Sequence, residues 1–151
     1  MSLDPAILDR LFRYCSYRER ATSEVISKLD SLGVKDFQRD DYIKELIETG
    51  YLKEERYVTS FIQGKLRMKG WGKNKIRAHL LMKKVKADLI NDALEQLNHE
   101  DYMMKLKEIA NHKLAKVKGV NDYEKKSKVF RYLQQKGYET SLIHQVLFQE
   151  K

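Results

Sequence analysis

Apolar side chains recur along this chain at intervals of three and four residues, which is the spacing of one face of an α-helix. Asp4-Pro5 opens the first amphipathic segment, because the aspartate can cap a helix and proline fits its first turn. Eight further segments follow at about residues 22–32, 36–49, 54–68, 73–85, 88–97, 102–117, 122–136 and 140–148. One proline and seven glycines supply little material for the turns of an all-β fold. The pattern therefore predicts an all-α protein of nine helices.

Glycines mark the ends of three of these segments. Gly33, Gly50 and Gly137 follow the second, third and eighth, where a left-handed residue commonly ends a helix. In the third segment, the spacing predicts an inward face made of Phe37, Tyr42, Ile43, Leu46 and Ile47. In the fourth, Lys65 falls inside the apolar arc, where its stem can extend to water or its ammonium can line a groove.

The nine segments group into three repeats of one three-helix unit. Apolar positions of the second helix recur at offsets of 51 and 104 residues: Val25, Leu29 and Val34, then Ile76, Leu80 and Val85, then Val129, Leu133 and Tyr138. Gly33 and Gly137 then fall at the same turn, which argues against the alternative that unrelated amphipathic helices merely look alike. We expect repeats at residues 1–50, 51–98 and 99–151, whose stacking completes the core and forms an elongated, curved body.

Positive charge is concentrated in the middle of the chain. Residues 56–87, called the basic stretch below, contain ten Lys or Arg and no Asp or Glu. The whole chain has 30 basic and 22 acidic residues, so 20 basic and 22 acidic residues lie outside the stretch. Because like charges repel, such a block favours binding to a polyanion over a role in folding. The alternative is a solvated helix face that lacks acids.

Trp71, flanked by Gly70 and Gly72, interrupts the basic stretch. A disordered basic tail would lack these residues, so they favour a folded binding surface. The indole of Trp71 can stack on an unpaired base, or it can pack in the core beside a tight turn. The sequence leaves both interpretations open.

The sequence offers no catalytic, cofactor or metal site. Its glycines fit neither a dinucleotide-binding nor a P-loop pattern, and His79, His99, His112 and His144 lack metal-ligand spacing. Cys15 is the only cysteine, which excludes an intramolecular disulfide framework and indicates a reducing cytosol. No apolar run approaches the ~20 residues of a membrane span, and the N-terminus lacks the features of a signal peptide. We therefore expect a cytoplasmic binding protein without enzymatic activity, cofactor or membrane association.

One string in the middle of the chain is distinctive. It reads Gly50-Tyr51-Leu52-Lys53-Glu54-Glu55-Arg56-Tyr57-Val58, then Phe61, then Lys65-x-Arg67-x-Lys69-Gly70-Trp71-Gly72-x-x-Lys75-Ile76-Arg77-x-x-Leu80. This string resembles the central signature of the bacterial RecX regulatory proteins. Two further strings resemble motifs of that family's first and third repeats: Arg18-Glu19-Arg20-x-x-Ser23-Glu24-Val25-x-x-Lys28-Leu29-x-x-x-Gly33 and Lys128-Val129-x-x-Tyr132-Leu133-x-x-x-Gly137-Tyr138.

The resemblance implies a cytoplasmic protein of three tandem three-helix repeats that regulates homologous recombination and DNA repair. Family members bind in the groove of the RecA filament on single-stranded DNA and inhibit its growth, strand exchange and ATP hydrolysis, with no enzymatic activity of their own. The implied partners are the RecA filament and single-stranded DNA, with duplex DNA as a further candidate, and a monomer is expected. The chain departs from the family pattern at Lys53, where Asp or Asn usually precedes the helix, and at His79, commonly an acidic position.

Eleven residues are candidates for contacts with nucleic acid or the RecA filament. The first choices for direct contact are Arg67, Lys69, Lys73, Lys75 and Arg77, and the central set is completed by Lys65, Trp71, Lys83 and Lys84. Arg18 and Arg20 are secondary candidates at a comparable joint in the first repeat. Two other functions remain open at this point: a stand-alone DNA-binding protein that presents a recognition helix, and a helical scaffold that binds an acidic protein.

Overall fold

The computed structural model describes residues 3–149, and all regular structure in that range is helical. Its nine α-helices are α1 (Pro5–Tyr17), α2 (Thr22–Ser31), α3 (Asp36–Glu48), α4 (Glu54–Gly64), α5 (Lys73–Met82), α6 (Ala87–Glu95), α7 (His99–Leu114), α8 (Asp122–Lys136) and α9 (Thr140–Phe148). One π-helical turn, Lys65–Lys69, continues α4. The prediction of an all-α fold is confirmed. Within the described residues, no helix combines the length and the apolar character needed to cross a membrane.

The same helix ending occurs at three equivalent places in the chain. In each, a backbone N–H donates to the carbonyl five residues earlier: Val34 to Leu29 at 3.0 Å, Val85 to Leu80 at 3.2 Å and Tyr138 to Leu133 at 3.1 Å. All six side chains are buried. This hydrogen bond ends a helix where the residue just before the donor is left-handed. The predicted helical repeat is therefore confirmed, whereas the boundaries at residues 50/51 and 98/99 stay a prediction.

Lys84 occupies the left-handed position of the second such ending. Its φ is +63°, and the equivalent residues Gly33 and Gly137 have φ of +80° and +100°. Within residues 3–149, Lys84 is the one non-glycine residue with a positive φ. A left-handed conformation costs an L-residue with a Cβ roughly 1–2 kcal/mol. The chain therefore carries local strain at a basic residue where both other repeats have glycine.

Replacing Lys84 with glycine is expected to stabilise the fold. The relief of left-handed strain exceeds the extra entropy of an unfolded glycine, so we expect the free energy of unfolding to rise by about 0.5–1 kcal/mol. Thermal or urea unfolding measures this change. Lys86→Gly is the matched control, because it removes the same exposed charge at a residue without positive φ. An equal response of the two variants would contradict the strain at Lys84.

The described residues form two compact units. The first comprises the described residues up to Ser60 together with Leu80–Ile90, and the second comprises Phe61–His79 together with the described residues from Asn91 onward. The core of the first unit contains Leu11, Cys15, Val25, Leu29, Val34, Tyr42, Leu46 and Leu52. The core of the second contains Tyr102, Met103, Leu106, Ala110, Val129, Leu133, Tyr138, Ile143 and Leu147.

Two of the predicted inward residues of α3 are in fact at the surface. Tyr42 and Leu46 are buried, as predicted, and Ile43 packs against the core of the first unit. In contrast, 75% of Phe37 and 55% of Ile47 is exposed, so the prediction for these two was wrong. Both lie five residues from Tyr42, which places them about 140° around the helix at 100° per residue. The buried stripe of α3 is therefore narrower than its apolar composition indicates.

Candidate nucleic-acid interface

The middle of the basic stretch is a π-helical turn closed by a left-handed glycine. The backbone N–H of Trp71 donates to the carbonyl of Lys65 at 3.1 Å, and Gly70 follows the turn with φ of +66°. A π-helical turn widens a helix by one residue, and such turns are frequent at functional sites. Arg67, Met68 and Lys69 are exposed on this turn, and 83% of Met68 is accessible. The turn thus presents two basic side chains to solvent.

The basic stretch then meets the end of α8 at very short range. The N–H of Gly72 donates to the carbonyl of Lys136 at 2.8 Å, and the N–H of Asn74 donates to that of Gly137 at 2.9 Å. A Cβ on Gly72 would lie 2.5 Å from backbone atoms of Gly137 and Tyr138. A side chain at Gly72 therefore cannot be accommodated unless the backbone moves. This approach explains the need for glycine after Trp71 and fixes the start of α5.

A buried tyrosine also holds the start of α5. The N–H of Lys73 donates to the hydroxyl of Tyr102 at 2.9 Å, and that hydroxyl donates to the carboxylate of Glu139. Tyr102 is completely buried, and its pKa is raised by burial and by its hydrogen bond to Glu139. The ammonium of Lys73 lies 4.8 Å from the centre of the same ring. Tyr102 therefore positions both the backbone and the charge of Lys73.

Trp71 is half-buried and organises two lysines of the basic stretch. Its indole lies 6.3 Å from the ring of Phe61 and 4.5 Å from that of His79. The ammonium groups of Lys65 and Lys75 lie 4.9 and 4.6 Å from the centre of the indole. These distances allow cation–π attraction. The proximity of Lys65 to aromatic rings accounts for a lysine inside an apolar arc.

Most cations of the basic stretch have no acidic partner within the described part of the chain. Arg56 pairs with Glu19 at 3.1 Å, and Lys83 pairs with Glu24 at 3.3 Å. The other eight form no ion pair within 4 Å among residues 3–149: Lys65, Arg67, Lys69, Lys73, Lys75, Arg77, Lys84 and Lys86. Their charge is therefore available to an anionic ligand.

Three lysines from α7 and α8 add to this charge. Together with Arg67 and Lys69 they line an open cleft of about 340 Å³ in the second unit, which we call the cationic cleft. Its other lining residues are Met68, Gly70, Glu108, Ile109, His112 and Tyr132. The three lysines are Lys105, Lys113 and Lys136. Glu108, 3.9 Å from Lys105, is the only carboxylate that the described part of the chain contributes to the lining. Five Lys or Arg against one Glu make the cleft strongly positive.

Two of these lysines hold the π-helical turn in place. The ammonium of Lys136 donates to the carbonyl of Lys69 at 2.6 Å, and that of Lys105 donates to the carbonyl of Arg67 at 3.2 Å. The pKa of Lys136 is lowered by burial and by the positive charges of Lys75, Lys105 and Lys69. A cation whose neighbours disfavour its charge gains stability when an anion approaches. The cationic cleft therefore suits a phosphate or carboxylate ligand.

The remaining candidate residues lie in the first unit and take part in its fold. Glu24 forms ion pairs with both Arg18, at 2.7 Å, and Lys83, at 3.3 Å. Arg20 is buried, and its guanidinium lies 3.6 Å from the centre of the Tyr14 ring. Lys84 is exposed. The contacts predicted for these residues stay predictions, and Arg18, Arg20 and Lys83 each have a structural partner as well.

Glu24 is a buried acid that anchors Arg18 and Lys83. Burial alone would raise the pKa of Glu24, but hydrogen bonds from Arg18, the Ala21 amide and Lys83 outweigh it and lower that pKa below 4.5. The protein then binds fewer protons at Glu24 when folded than when unfolded. The stabilisation from Glu24 is present above pH 4.5 and is lost as pH falls through the lowered pKa.

Glu24→Gln is therefore expected to lower the free energy of unfolding by about 1–3 kcal/mol at neutral pH, because two cations lose a buried charged acceptor. It should also flatten the decline of stability below pH 4.5. Urea unfolding across acidic pH measures both effects. Glu48→Gln, at an exposed acid of the same unit without an ion pair among residues 3–149, is the control and should leave the acid dependence intact. Identical acid profiles for wild type and Glu24→Gln would contradict this role.

Comparison with known proteins identifies the family. Residues 54–94 match the family model for the second three-helix domain of RecX, and residues 100–147 match the model for its third three-helix domain. The chain belongs to the RecX family. The two matched ranges contain the exposed π-helical turn and all three lysines that α7 and α8 contribute to the cationic cleft.

Curated RecX relatives cover most of this chain. Regulatory protein RecX of Lactobacillus johnsonii is 30% identical over 142 residues, which is 92% of this chain and 51% of the relative. That of Chlorobium phaeobacteroides is 24% identical over 146 residues, which is 97% of this chain and 94% of the relative. The chain thus spans about half the length of the first of these and nearly all of the second.

Solved RecX structures share the fold. The crystal structure of RecX from Lactobacillus salivarius superposes with a TM-score of 0.85 at 21% identity and covers 93% of this chain and 92% of that one. A second crystal structure of a regulatory protein RecX gives a TM-score of 0.83 at 23% identity and covers 93% of this chain and 70% of that one. These similarities confirm a RecX-type helical repeat fold.

Three basic residues of the cationic cleft were not predicted from the sequence. Lys105, Lys113 and Lys136 were not among the candidates. Three acids balance the three lysines of α7, and α8 also contains acids, so neither helix has the bare charge of the basic stretch. Lys136 was detectable in principle, since it lies 53 residues after Lys83, the offset that also relates Leu80 to Leu133. Among residues 3–149, no cluster of three His, Cys, Asp or Glu side chains is placed to hold a metal ion.

Proposed function

We propose that this RecX family member is a regulator of homologous recombination and DNA repair that binds the RecA filament on single-stranded DNA and inhibits its recombinase and ATPase activities. The observation that carries the proposal is the cationic cleft: five Lys or Arg against one Glu, beside basic residues that lack ion pairs. The name of the relatives, regulatory protein RecX, supports a regulatory role. The protein acts by binding, without catalysis of its own, as a monomer in the cytoplasm.

The proposed contacts divide between DNA and protein. Arg67 and Lys69 are exposed and form no ion pair within residues 3–149, so they are the first choice for contacts with DNA phosphates. Lys73, Lys75 and Arg77 follow on α5 and form no ion pair among residues 3–149 either. Tyr102 and Trp71 set the positions of the two lysines. Each phosphate contact releases counterions, so binding should weaken steeply with salt. Acidic side chains of RecA would satisfy the remaining cations.

Titration of RecA ATP hydrolysis on single-stranded DNA with this protein tests the proposal. The hydrolysis rate is expected to fall as the protein is added, and added salt should relieve the inhibition. An unchanged rate at saturating protein would contradict regulation of the filament. If the protein also retains DNA without RecA and prefers particular duplex sequences, the alternative of a stand-alone DNA-binding protein replaces the proposal.

A further inference from the structure

The first unit contains a second cleft that is lined by cations and tyrosines. It has a volume of about 430 Å³, and its lining residues are Arg10, Arg13, Tyr14, Tyr17, Arg20 and Lys28. We call it the arginine cleft. Among residues 3–149 no acidic side chain lines it, and the one ion pair of a lining residue joins Arg13 to Asp9 at 2.8 Å on the exposed face of α1. Three arginines and one lysine therefore line one open cleft, with no acid of the described range in its wall.

Arg20 is the unusual residue of the arginine cleft. Only 8% of Arg20 is exposed, and it forms no ion pair among residues 3–149. Its Nε donates to the carbonyl of Tyr14 at 2.8 Å, and its guanidinium lies 3.6 Å from the centre of the Tyr14 ring. The two terminal nitrogens have no hydrogen-bond partner among the described residues. Since neither nitrogen is fully buried, both are accessible from the cleft and can donate to an anionic ligand.

Tyr17 supplies a second recognition element beside this cation. Of its surface, 85% is exposed at the end of α1, and the guanidinium of Arg20 lies 5.9 Å from the centre of its ring. An exposed aromatic ring next to unpaired cations is the combination that binds single-stranded nucleic acid, in which bases stack on rings and phosphates meet Lys or Arg. A carboxylate from a protein partner would satisfy Arg20 but would leave the ring of Tyr17 unused.

We propose that the arginine cleft is a nucleotide-binding subsite for single-stranded nucleic acid, with one phosphodiester on Arg20, Arg10 and Lys28 and an adjacent base on Tyr17. The fixed, planar guanidinium of Arg20 suits two phosphate oxygens at once. Arg10 and Lys28 supply longer-range charge at the rim. The inference shares its ligand, single-stranded DNA, with the proposed function but does not depend on RecA.

Binding of a fluorescently labelled oligothymidylate, measured by anisotropy over a range of salt, tests the subsite. Arg10→Gln/Lys28→Gln removes two of the three cations at the proposed phosphodiester and should lower the slope of log K against log salt by up to about 0.7, the value for one phosphate contact on a single strand. Tyr17→Leu removes the ring without a change in charge. It should weaken binding by roughly fivefold to 150-fold with an unchanged salt slope, as expected for one lost stacking contact.

The matched control is Lys35→Gln/Lys44→Gln, which removes two exposed charges from the same unit outside the cleft. Arg20→Gln is informative only if its thermal unfolding matches wild type. The rim and Tyr17 variants change residues outside the core, so they test the subsite without this condition. If either the rim variant or Tyr17→Leu binds the oligonucleotide as the control does, the subsite is overturned. If the rim variant and Tyr17→Leu weaken oligonucleotide binding as expected but the wild-type protein does not inhibit RecA, the proposed function is overturned and the subsite is supported.

Discussion

Arg67→Glu/Lys69→Glu is expected to abolish inhibition of RecA ATP hydrolysis while the protein stays folded. Both side chains are exposed on the π-helical turn and have no hydrogen bond or ion pair of their own among residues 3–149, so their loss should not disturb packing. Each reversal replaces an attraction to phosphate with a repulsion, and a charge-assisted hydrogen bond contributes about 1.5–3 kcal/mol. Two such contacts correspond to at least a hundredfold loss of affinity.

The measurement is the protein concentration that halves RecA ATP hydrolysis on single-stranded DNA, with circular dichroism to verify the fold. Lys35→Glu/Lys44→Glu makes the same change in net charge at exposed residues of the first unit and should inhibit nearly as well as wild type. A general effect of net charge would impair both variants equally. Full inhibition by Arg67→Glu/Lys69→Glu would remove the π-helical turn from the interface.

Gly72→Ala is expected to lower the free energy of unfolding by about 2–4 kcal/mol. The new methyl group would lie 2.5 Å from backbone atoms of Gly137 and Tyr138, so the two segments must separate. Overpacking of this kind costs about 1–3 kcal/mol, and weakened hydrogen bonds from Gly72 and Asn74 add roughly 1 kcal/mol. Urea unfolding followed by helical circular dichroism measures the change.

Gly64→Ala is the control for this substitution. Gly64 is helical, and a Cβ there would have no atom within 4 Å, so alanine should be neutral or stabilise the protein by about 0.5–1 kcal/mol. Opposite signs for the two variants would identify the contact with α8 as the cause. A stable Gly72→Ala protein would show that the start of α5 does not depend on this close approach.

Helix positions were the most predictable part of the fold, because local sequence signals determine them. The bounds of α8 and α9 follow the prediction residue by residue. At α8, the side chain of Asn121 accepts from the Glu124 N–H at 2.8 Å, and Gly137 ends the helix with φ of +100°. Caps and left-handed glycines act within a few residues, so the sequence alone reveals them.

Burial was predicted correctly for the centre of the apolar stripe of α3 and wrongly for its two edges. Phe37 and Ile47 flank the stripe of α3, and hydrophobicity alone does not decide which edge a neighbouring helix covers. The left-handed conformation of Lys84 was equally hard to foresee from its residue type. Its offset of 51 from Gly33 was the signal that pointed to it.

The cationic cleft was only half predictable. The basic stretch stands out in the sequence, whereas Lys105 and Lys136 reach it through hydrogen bonds to carbonyls 38 and 67 residues away. Such contacts depend on tertiary packing, which a charge count along the chain does not capture. The count also could not show that Lys83 is paired with Glu24, or that Trp71 holds Lys65 and Lys75 beside its ring.

Lysine footprinting on the RecA filament tests the central claim most directly. Acetylation of each lysine is quantified by mass spectrometry for the protein alone and for the protein bound to RecA on single-stranded DNA. We expect strong protection of Lys69, Lys105 and Lys136 in the complex, with unchanged labelling of the exposed reference residues Lys35 and Lys44. Equal labelling of the cleft lysines in the two states, under conditions in which RecA ATP hydrolysis is inhibited, would contradict it.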